Sequence, residues 1–383
     1  MKKLKKDMWK EASIEQVVDE ISERVENPSQ SEFDRFVGLE EFESGQFKIR
    51  KWGSTENLVS AMKLFKKGDL LFARRNAYLK RASEVDFDGV CSGDAIVLRQ
   101  KSTIANGLTT FILNTDRFWD YAIANAAGTM SKRVKWRDLA KYKFLLPPPE
   151  EQKQIAALFQ SIETAMEQVD GQEKNLHQLK HKLLKDLFSE KKEFGNHLKA
   201  KDFETVKFDK IAINISERVE PKKTELTTYV GLEHLDADNL KIERTGTPDD
   251  VIGTKLKIYK GDIIFGKRRA YLRKVAVSHF DGIASAHSMI LRANEKQIEK
   301  DFLPFFMQSD AFMNRAVQIS EGSLSPTIKV KTLAQQEFTL PKKEKQNELV
   351  ALFKQFDETR QQLKQQKATL KLLKQKLLNE ILG

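Results

Sequence analysis

The chain has 383 residues, which favours two to three domains, and it carries 66 Lys and Arg against 55 Asp and Glu. The formal charge of +11 favours a polyanionic partner. We find no apolar run long enough to cross a bilayer and no signal-peptide pattern, and the single cysteine, Cys91, cannot form an internal disulfide. These features argue against a membrane partner and against a disulfide-stabilised fold, and they predict a cytoplasmic protein.

In chain order, the first half of the sequence alternates short apolar runs with Gly and Asp. The runs DLLFA and DAIVLR predict strands, and RFWDYAIANAA predicts a helix. In the second half FLPFFMQSDAFMNRAV also predicts helical structure. We therefore predict globular α/β or α+β domains of roughly 140 residues.

The two halves of the sequence repeat each other at an offset of about 193 residues. ISERVE, VGLE and FDG each occur once in either half, in the same order. A repeat of this length that occurs twice indicates two copies of a domain rather than a solenoid. We predict a first globular domain (1–147), a first long helix (148–190), a second globular domain (191–341) and a second long helix (342–383).

The two long helices begin after Pro147–Pro149 and after Pro341, since proline suits a helix start. Their apolar residues recur every seven positions, and a second set that includes Leu179 and Leu373 follows three residues later, which is typical of a coiled-coil seam. We predict that the helices pair antiparallel, related by a pseudo-twofold axis; the alternative is that each helix lies along its own domain. The predicted pairing residues are Ile155, Ile162, Val169, Leu176 and Leu183 in the first helix, and Leu349, Phe356, Leu363, Leu370 and Leu377 in the second.

A basic motif occurs in both halves, as KGDLLFARRNAYLKR and KGDIIFGKRRAYLRK. The second copy resembles a phosphate-binding loop, but Arg268 stands where that loop needs Ser or Thr. The first copy has Ala73 in place of the second glycine, a change that such a loop does not tolerate. Two interpretations remain: a solvated basic turn at the end of a strand, or a nucleic-acid contact.

Two groups of residues in each copy are candidate DNA contacts. The first, which we name the basic turn, comprises Arg74, Arg75, Asn76, Tyr78, Lys80 and Arg81, matched by Lys267, Arg268, Arg269, Tyr271, Arg273 and Lys274. The second, which we name the glycine loop, comprises Thr129, Ser131, Lys132 and Arg133, matched by Ser323, Ser325, Thr327 and Lys329.

The two copies differ at polar positions of these groups. Asn76 aligns with Arg269, and Asp94 aligns with His287. Asn favours adenine and Arg favours guanine in the major groove, so unlike residues would read unlike half-sites. The alternative is that surface positions have simply drifted.

The sequence offers little for catalysis. It contains no G-x-G for a methyl-donor loop, and Pro248–Asp249 lacks the acidic partner of a nuclease motif. His177 and His181 have the i, i+4 spacing of zinc ligands, but HQLKH lacks the Glu of H-E-x-x-H. We predict a solvated helix face there, with no metal ion and no catalytic residue.

The basic motifs, FDGVCSGD with FDGIASAH, and the helix entries LPPPEEQKQIAALF and LPKKEKQNELVALF together resemble the specificity subunits of Type I restriction–modification systems along the full chain. The resemblance implies two target-recognition domains that read a bipartite, asymmetric site in double-stranded DNA. It also implies recruitment of two DNA-adenine methyltransferase subunits and of restriction subunits. S-adenosylmethionine and ATP would belong to those partners, and this chain would hold no cofactor.

Two other classes stay open on the residues alone. One is a catalytic DNA-modifying enzyme, a methyltransferase or a nuclease. The other is a coiled-coil architectural protein that binds DNA without sequence preference.

Overall fold

The computed structural model describes residues 6–189, 193–195 and 197–383, and these form two compact units. The first unit is the chain up to Asp170 together with Gln365–Gly383, and the second unit is Gly171–Lys364. Each unit thus contains one globular domain and one half of each long helix. The predicted boundary between residues 190 and 191 lies outside the described residues.

The described residues of the first unit form three sheets. Their strand orders are β1-β11, β2-β10-β7-β8 and β3-β6-β9-β4-β5, and among these described strands only β4 and β9 pair in parallel. The described strands of this unit are β1 (Lys10–Ser13), β2 (Val18–Ile21), β3 (Arg24–Val25), β4 (Arg35–Val37), β5 (Gly53–Ser54), β6 (Met62–Phe65), β7 (Leu70–Ala73), β8 (Ala82–Glu84), β9 (Gly89–Cys91), β10 (Ala95–Gln100) and β11 (Lys143–Leu146).

The second unit repeats this topology, with strand orders β12-β21, β13-β20-β17-β18 and β14-β16-β19-β15. Its described strands are β12 (Phe203–Lys207), β13 (Ala212–Ile215), β14 (Arg218–Val219), β15 (Tyr229–Val230), β16 (Lys255–Ile258), β17 (Ile263–Gly266), β18 (Val275–Val277), β19 (Gly282–Ala284), β20 (Ser288–Ala293) and β21 (Glu337–Pro341). The predicted α/β class and internal repeat are confirmed.

The Gly-Asp pair of each basic motif makes the turn before the central strand. Gly68 and Gly261 have φ angles of 90° and 93°, in the left-handed region that suits glycine. The Asp69 carboxylate accepts hydrogen bonds from Nε and Nη2 of Arg99, each at 2.8 Å, and Asp262 accepts from the same two nitrogens of Arg292. The motif therefore begins as a structural turn and not as a phosphate site.

Helices cover one face of the sheets in each unit. Trp119 and Phe306 lie in the two main apolar cores, one in each unit. Within the described residues, no helix is both long enough and apolar enough to cross a membrane. The helices are α1 (Ile14–Val17), α2 (Leu108–Ile112), α3 (Asp116–Ala124), α4 (Trp136–Leu139), α5 (Pro149–Leu187), α6 (Phe208–Ile211), α7 (Phe302–Gln308), α8 (Asp310–Gln318), α9 (Val330–Ala334) and α10 (Lys343–Leu382).

The long helices α5 and α10 pair antiparallel, as predicted, and each unit shows this by itself. In the first unit, Lys374 contacts Glu163 at 2.6 Å, and Lys367 contacts Asp170 further along the pair. In the second unit, Lys180 contacts Asp357 at 2.6 Å and Arg360 contacts Glu173 at 3.3 Å. In both units residue numbers rise along α5 as they fall along α10.

The burial of the predicted pairing residues decreases along each long helix. Ile155, Ile162, Val169 and Leu349 are buried, whereas the other predicted pairing residues, Leu176, Leu183, Phe356, Leu363, Leu370 and Leu377, are only half-buried.

Leu179 and Leu373 are exposed, so their assignment to the seam was wrong. The buried face shifts to Leu184, Leu187 and Leu378, which belong to the cores of the globular domains. A straight helix drifts by about 20° per heptad against a strict seven-residue repeat. Both sequence-based alternatives therefore hold in part: the helices pair with each other and also lie along the domains.

Candidate nucleic-acid interface

The basic turn and the glycine loop of the first unit form one continuous surface. The Arg75 Nε donates to Ser131 Oγ at 2.6 Å, and the Asn76 amide donates to the Lys132 carbonyl at 3.1 Å. The Val134 amide donates to the Arg74 carbonyl at 2.9 Å. Backbone hydrogen bonds therefore flank the contact between Arg75 and Ser131 on both sides. Two candidate surfaces more than fifty residues apart in the chain are thus a single site.

The second unit builds the same surface. Arg268 Nη2 and Arg269 Nη2 donate to Ser325 Oγ at 3.0 and 3.3 Å. The Arg269 amide donates to the Pro326 carbonyl at 2.7 Å, and the Ile328 amide donates to the Lys267 carbonyl at 3.0 Å.

The turn itself has an unusual backbone. A one-turn 3-10 helix (Ala77–Leu79 or Ala270–Leu272) lies between two left-handed residues, Asn76 and Lys80 or Arg269 and Arg273. Their φ angles lie between 49° and 57°, and residues other than glycine reach this region at a cost of about 1 kcal/mol or more each. This geometry leaves an exposed tyrosine in each unit, Tyr78 or Tyr271.

One cation at the end of each basic turn forms an ion pair with an aspartate of the same unit. Lys80 contacts Asp116 at 2.9 Å at the start of α3, and Arg273 contacts Asp310 at 2.9 Å at the start of α8. In their present positions these two side chains tie the turn to a helix.

The neighbouring cations also have internal partners. Arg81 Nη1 donates to the Leu39 carbonyl at 2.8 Å, and Lys274 Nζ donates to the Leu232 carbonyl at 2.6 Å. Burial lowers the pKa of Arg81. Their role as DNA contacts remains a prediction, but the structure gives all four residues a positioning role.

The two surfaces differ in charge at the aligned pair Asp94 and His287. Asp94 accepts from Arg133 at 2.7 and 3.2 Å, and this hydrogen bonding lowers the pKa of its carboxyl. His287 Nε2 lies 3.3 Å from Arg268 Nη1, and burial together with the nearby cations lowers the pKa of its imidazole. A charged acceptor in one unit is therefore replaced by a ring that favours its neutral form in the other.

Sequence reasoning missed the apolar residue at the tip of each glycine loop. Met130 and Leu324 are almost fully exposed, beside the basic turn. Of the predicted loop residues, Thr129, Lys132 and Ser323 are also exposed. Lys329 is exposed as well and pairs with Glu321 at 2.7 Å. Met130 and Leu324 each stand two residues after the glycine of the loop, so the sequence repeat could have identified them.

His177 and His181 do not lie on a fully solvated helix face, which corrects that prediction. Both rings are half-buried, and Asp238 of the second globular domain lies beside them. Only the fold brings this carboxylate to the helix, because it is more than fifty residues away in sequence.

Cys91 is completely buried in β9. Burial raises the pKa of its thiol to about 12. A nucleophile requires the thiolate, so this residue serves as a small apolar side chain, and the matching position of the second copy holds Ala284.

The sequence matches the family model of the Type I restriction modification DNA specificity domain twice, over residues 53–178 and 201–372. The matched regions make up more than half of the chain, and each contains one basic turn and one glycine loop.

Two curated relatives are specificity subunits of Type I restriction enzymes. The MjaVIII specificity subunit of Methanocaldococcus jannaschii is 22% identical over 313 residues, which are 77% of this chain and 73% of the relative. The EcoDI specificity subunit of Escherichia coli is 24% identical over 260 residues, which are 59% of this chain and 57% of the relative. The match therefore spans little more than half the length of the second relative.

Two solved structures share the fold. A chain from a study of complex assembly and conformational transition of the type I restriction–modification system is 20% identical, with 97% of both chains covered and a TM-score of 0.59. The S subunit of the Type I system of M. genitalium is 16% identical, with 100% of this chain and 98% of the other covered and a TM-score of 0.56.

Proposed function

Because this chain belongs to the family of Type I restriction modification DNA specificity domains, we propose that it is the DNA-reading subunit of a Type I restriction–modification complex. Each recognition domain reads one part of a bipartite, asymmetric sequence in double-stranded DNA. The chain itself is not an enzyme, and partner subunits carry out the methylation and cleavage.

The observation that carries this proposal is the joining of the basic turn and the glycine loop, which occurs in both units. Arg75 and Lys132 in one unit, and Arg269 in the other, are exposed cations on that surface. Exposed Arg and Lys favour phosphates, and arginine also reads guanine through two hydrogen bonds. A fixed loop with an exposed tyrosine and an exposed apolar tip adds groups that contact bases.

The differences between the two surfaces support an asymmetric site. Asp94 presents a charged acceptor where His287 presents a neutral ring, and Asn76 stands where Arg269 does. Unlike donors and acceptors on the same backbone frame select unlike base pairs. The two domains therefore read different half-sites.

The partners are two DNA-adenine methyltransferase subunits, which bring S-adenosylmethionine, and restriction subunits, which bring ATP. We place the complex in the cytoplasm with its DNA substrate. Leu179 and Leu373 occupy matching positions on α5 and α10 and are exposed, so each unit offers one apolar contact for a methyltransferase subunit.

The primary test compares DNA methylation with and without the methyltransferase partner. The purified chain with S-adenosylmethionine alone should leave DNA unmodified, and addition of the partner should mark adenines in one bipartite sequence. Methyl transfer by the chain alone would overturn the proposal. So would a methylation pattern without a sequence motif, because that outcome favours an architectural protein.

A second test locates the surface. Arg75→Ala should weaken binding to DNA and lower the salt slope by about one if Arg75 contacts a phosphate. Lys67→Ala is the matched control, since Lys67 is an exposed cation at the other end of β7. Equal losses for both variants would show that DNA binding depends only on net charge.

A further inference from the structure

We propose that the second unit binds a Zn²⁺ ion between His177, His181 and Asp238. The two histidines are one turn apart on α5, so their side chains lie on one face of the helix. One ligand atom from each of the three residues lies within 4.8 Å of the other two. Two imidazoles and a carboxylate are a ligand set that zinc takes in proteins.

The distance between the His181 ring on α5 and the Asp238 carboxylate is already close to the separation of two ligand atoms on one zinc ion. His181 Nε2 lies 3.3 Å from Asp238 Oδ2. Ligand atoms at about 2.0–2.1 Å from a tetrahedral zinc ion are about 3.3–3.4 Å apart. A zinc ion between these two atoms therefore requires no large movement of helix or loop.

The carboxylate is held in place by groups that do not bind the metal. Arg273 Nε donates to Asp238 Oδ1 at 3.2 Å, which leaves Oδ2 directed at His181. Arg360 Nη1 donates to the Asp238 carbonyl at 3.4 Å and fixes the backbone of the loop. Such supporting hydrogen bonds are typical of the carboxylate ligands of metal ions.

Asp238 also has a strained backbone, with a φ of 54°. An L-residue in the left-handed region costs about 1 kcal/mol or more, and such strain concentrates at functional positions. Besides the three ligands, the cavity at this point is lined by apolar and by polar or charged side chains: Leu176, Leu184, Phe356, Gln308, Lys180, Asp357 and Arg360. The two cations have their own carboxylate partners, since Lys180 pairs with Asp357 and Arg360 pairs with Glu173.

The first unit provides an internal comparison. The repeat places three other residues at the matching positions: Lys371, Gln375 and Gly45. Gly45 has a φ of 74°, and an ideal Cβ built on it would lie 3.4 Å from Lys371 Cε, so helix and loop approach each other there as well. The backbone frame is common to both units, whereas the three ligands belong to the second unit alone.

A bound zinc ion would tie α5 to the second recognition domain and steady the basic turn. Asp238 binds Arg273, and Arg273 ends the short helix that carries Tyr271. The ion would therefore act on DNA reading by one domain only, through the position of its turn.

The test uses the full chain without a polyhistidine tag. Calorimetric titration with Zn²⁺ should give one saturable site per chain, and Co²⁺ should give the visible absorption of a tetrahedral complex. His177→Gln and His181→Gln should each weaken binding at least about tenfold, since even supporting residues contribute that much. His279→Gln is the control, because His279 is an exposed histidine of the same unit outside the cluster.

Amide hydrogen exchange provides a second measurement that does not depend on DNA. Zn²⁺ should slow exchange in residues 235–239 of the wild-type chain and of His279→Gln, but not of His181→Gln. The matching residues 42–46 of the first unit should stay unchanged. Absence of a saturable site, or equal affinity in His177→Gln and His279→Gln, would overturn the zinc site and leave the proposed DNA-reading function intact.

Discussion

The ion pair between Lys374 and Glu163 gives the sharpest test of how the helices are held. Both side chains are almost completely buried, with 2% and 6% of their areas exposed, and Nζ lies 2.6 Å from Oε1. The same ammonium lies 3.7 Å from the centroid of the Phe47 ring. Burial lowers the pKa of Lys374 despite the carboxylate beside it.

The perturbation is Lys374→Met, which keeps an unbranched side chain only one heavy atom shorter and removes its charge. Glu163 would then be a buried carboxylate without a partner, which costs about 3–5 kcal/mol. The double variant Lys374→Met with Glu163→Leu removes both charges and should lie within about 1 kcal/mol of the wild type or be more stable by about 1–4 kcal/mol.

The second unit supplies a matched control in Lys180 and Asp357. This pair occupies the repeated positions, with 10% and 34% of the side chains exposed. Water still reaches Asp357, so Lys180→Met should cost clearly less than Lys374→Met.

The assay is urea unfolding with amide hydrogen exchange in the segments that contain each pair, so that the loss is assigned to one unit. Equal costs for Lys374→Met and Lys180→Met would refute the argument from burial. A double variant as unstable as Lys374→Met would show that the charges contribute nothing beyond the shape of the side chains.

Four further predictions follow from the two units. Arg269→Ala should relax one base preference in one half-site, at a cost of about 1–3 kcal/mol measured on DNA with single-base changes; uniform weakening would make Arg269 a phosphate contact. Leu373→Asp should reduce co-purification of the methyltransferase subunit while thermal unfolding stays unchanged, and a fall in unfolding temperature would instead give Leu373 a core role. Cys91 should resist thiol reagents at pH 8.5 until the chain unfolds. Because the pKa of its thiol is about 12 in the folded chain and 9.0 ordinarily, the free energy of unfolding should decrease as the pH rises from 9.0 to about 12. Insertion of one heptad into each long helix should lengthen the DNA spacer by about 10 Å, or about three base pairs, and methylation mapping that finds the original spacer would show that the helices do not measure it.

The core of the fold was largely predictable from local pattern. The run DLLFA contains β7, DAIVLR covers most of β10, and RFWDYAIANAA covers most of α3. Such segments show their burial in their own periodicity, because each buries one face or both faces against neighbours. The exposed Leu179 and Leu373 show the limit of this reasoning, since a heptad pattern does not state which face the neighbouring domain covers.

The site was predictable as a set of residues but not as an arrangement. The sequence marked the basic turn and the glycine loop by their repetition, and it could not show that Arg75 meets Ser131. It also gave no sign that Lys80 and Arg273 are engaged by Asp116 and Asp310. The sequence alone does not distinguish a lysine or arginine on an exposed surface from one in an internal ion pair.

By itself, the sequence determined that the protein has two copies of one domain, each followed by a long helix, and that a cluster of cations recurs in both copies. These properties follow from composition, periodicity and self-similarity, which are local or statistical. The tertiary structure alone decided which charges remain exposed, which pair with each other, and that Asp238 lies beside His177 and His181. Those contacts join residues that are far apart along the chain, so they depend on strand order and on the angles at a few turns rather than on any short stretch of residues.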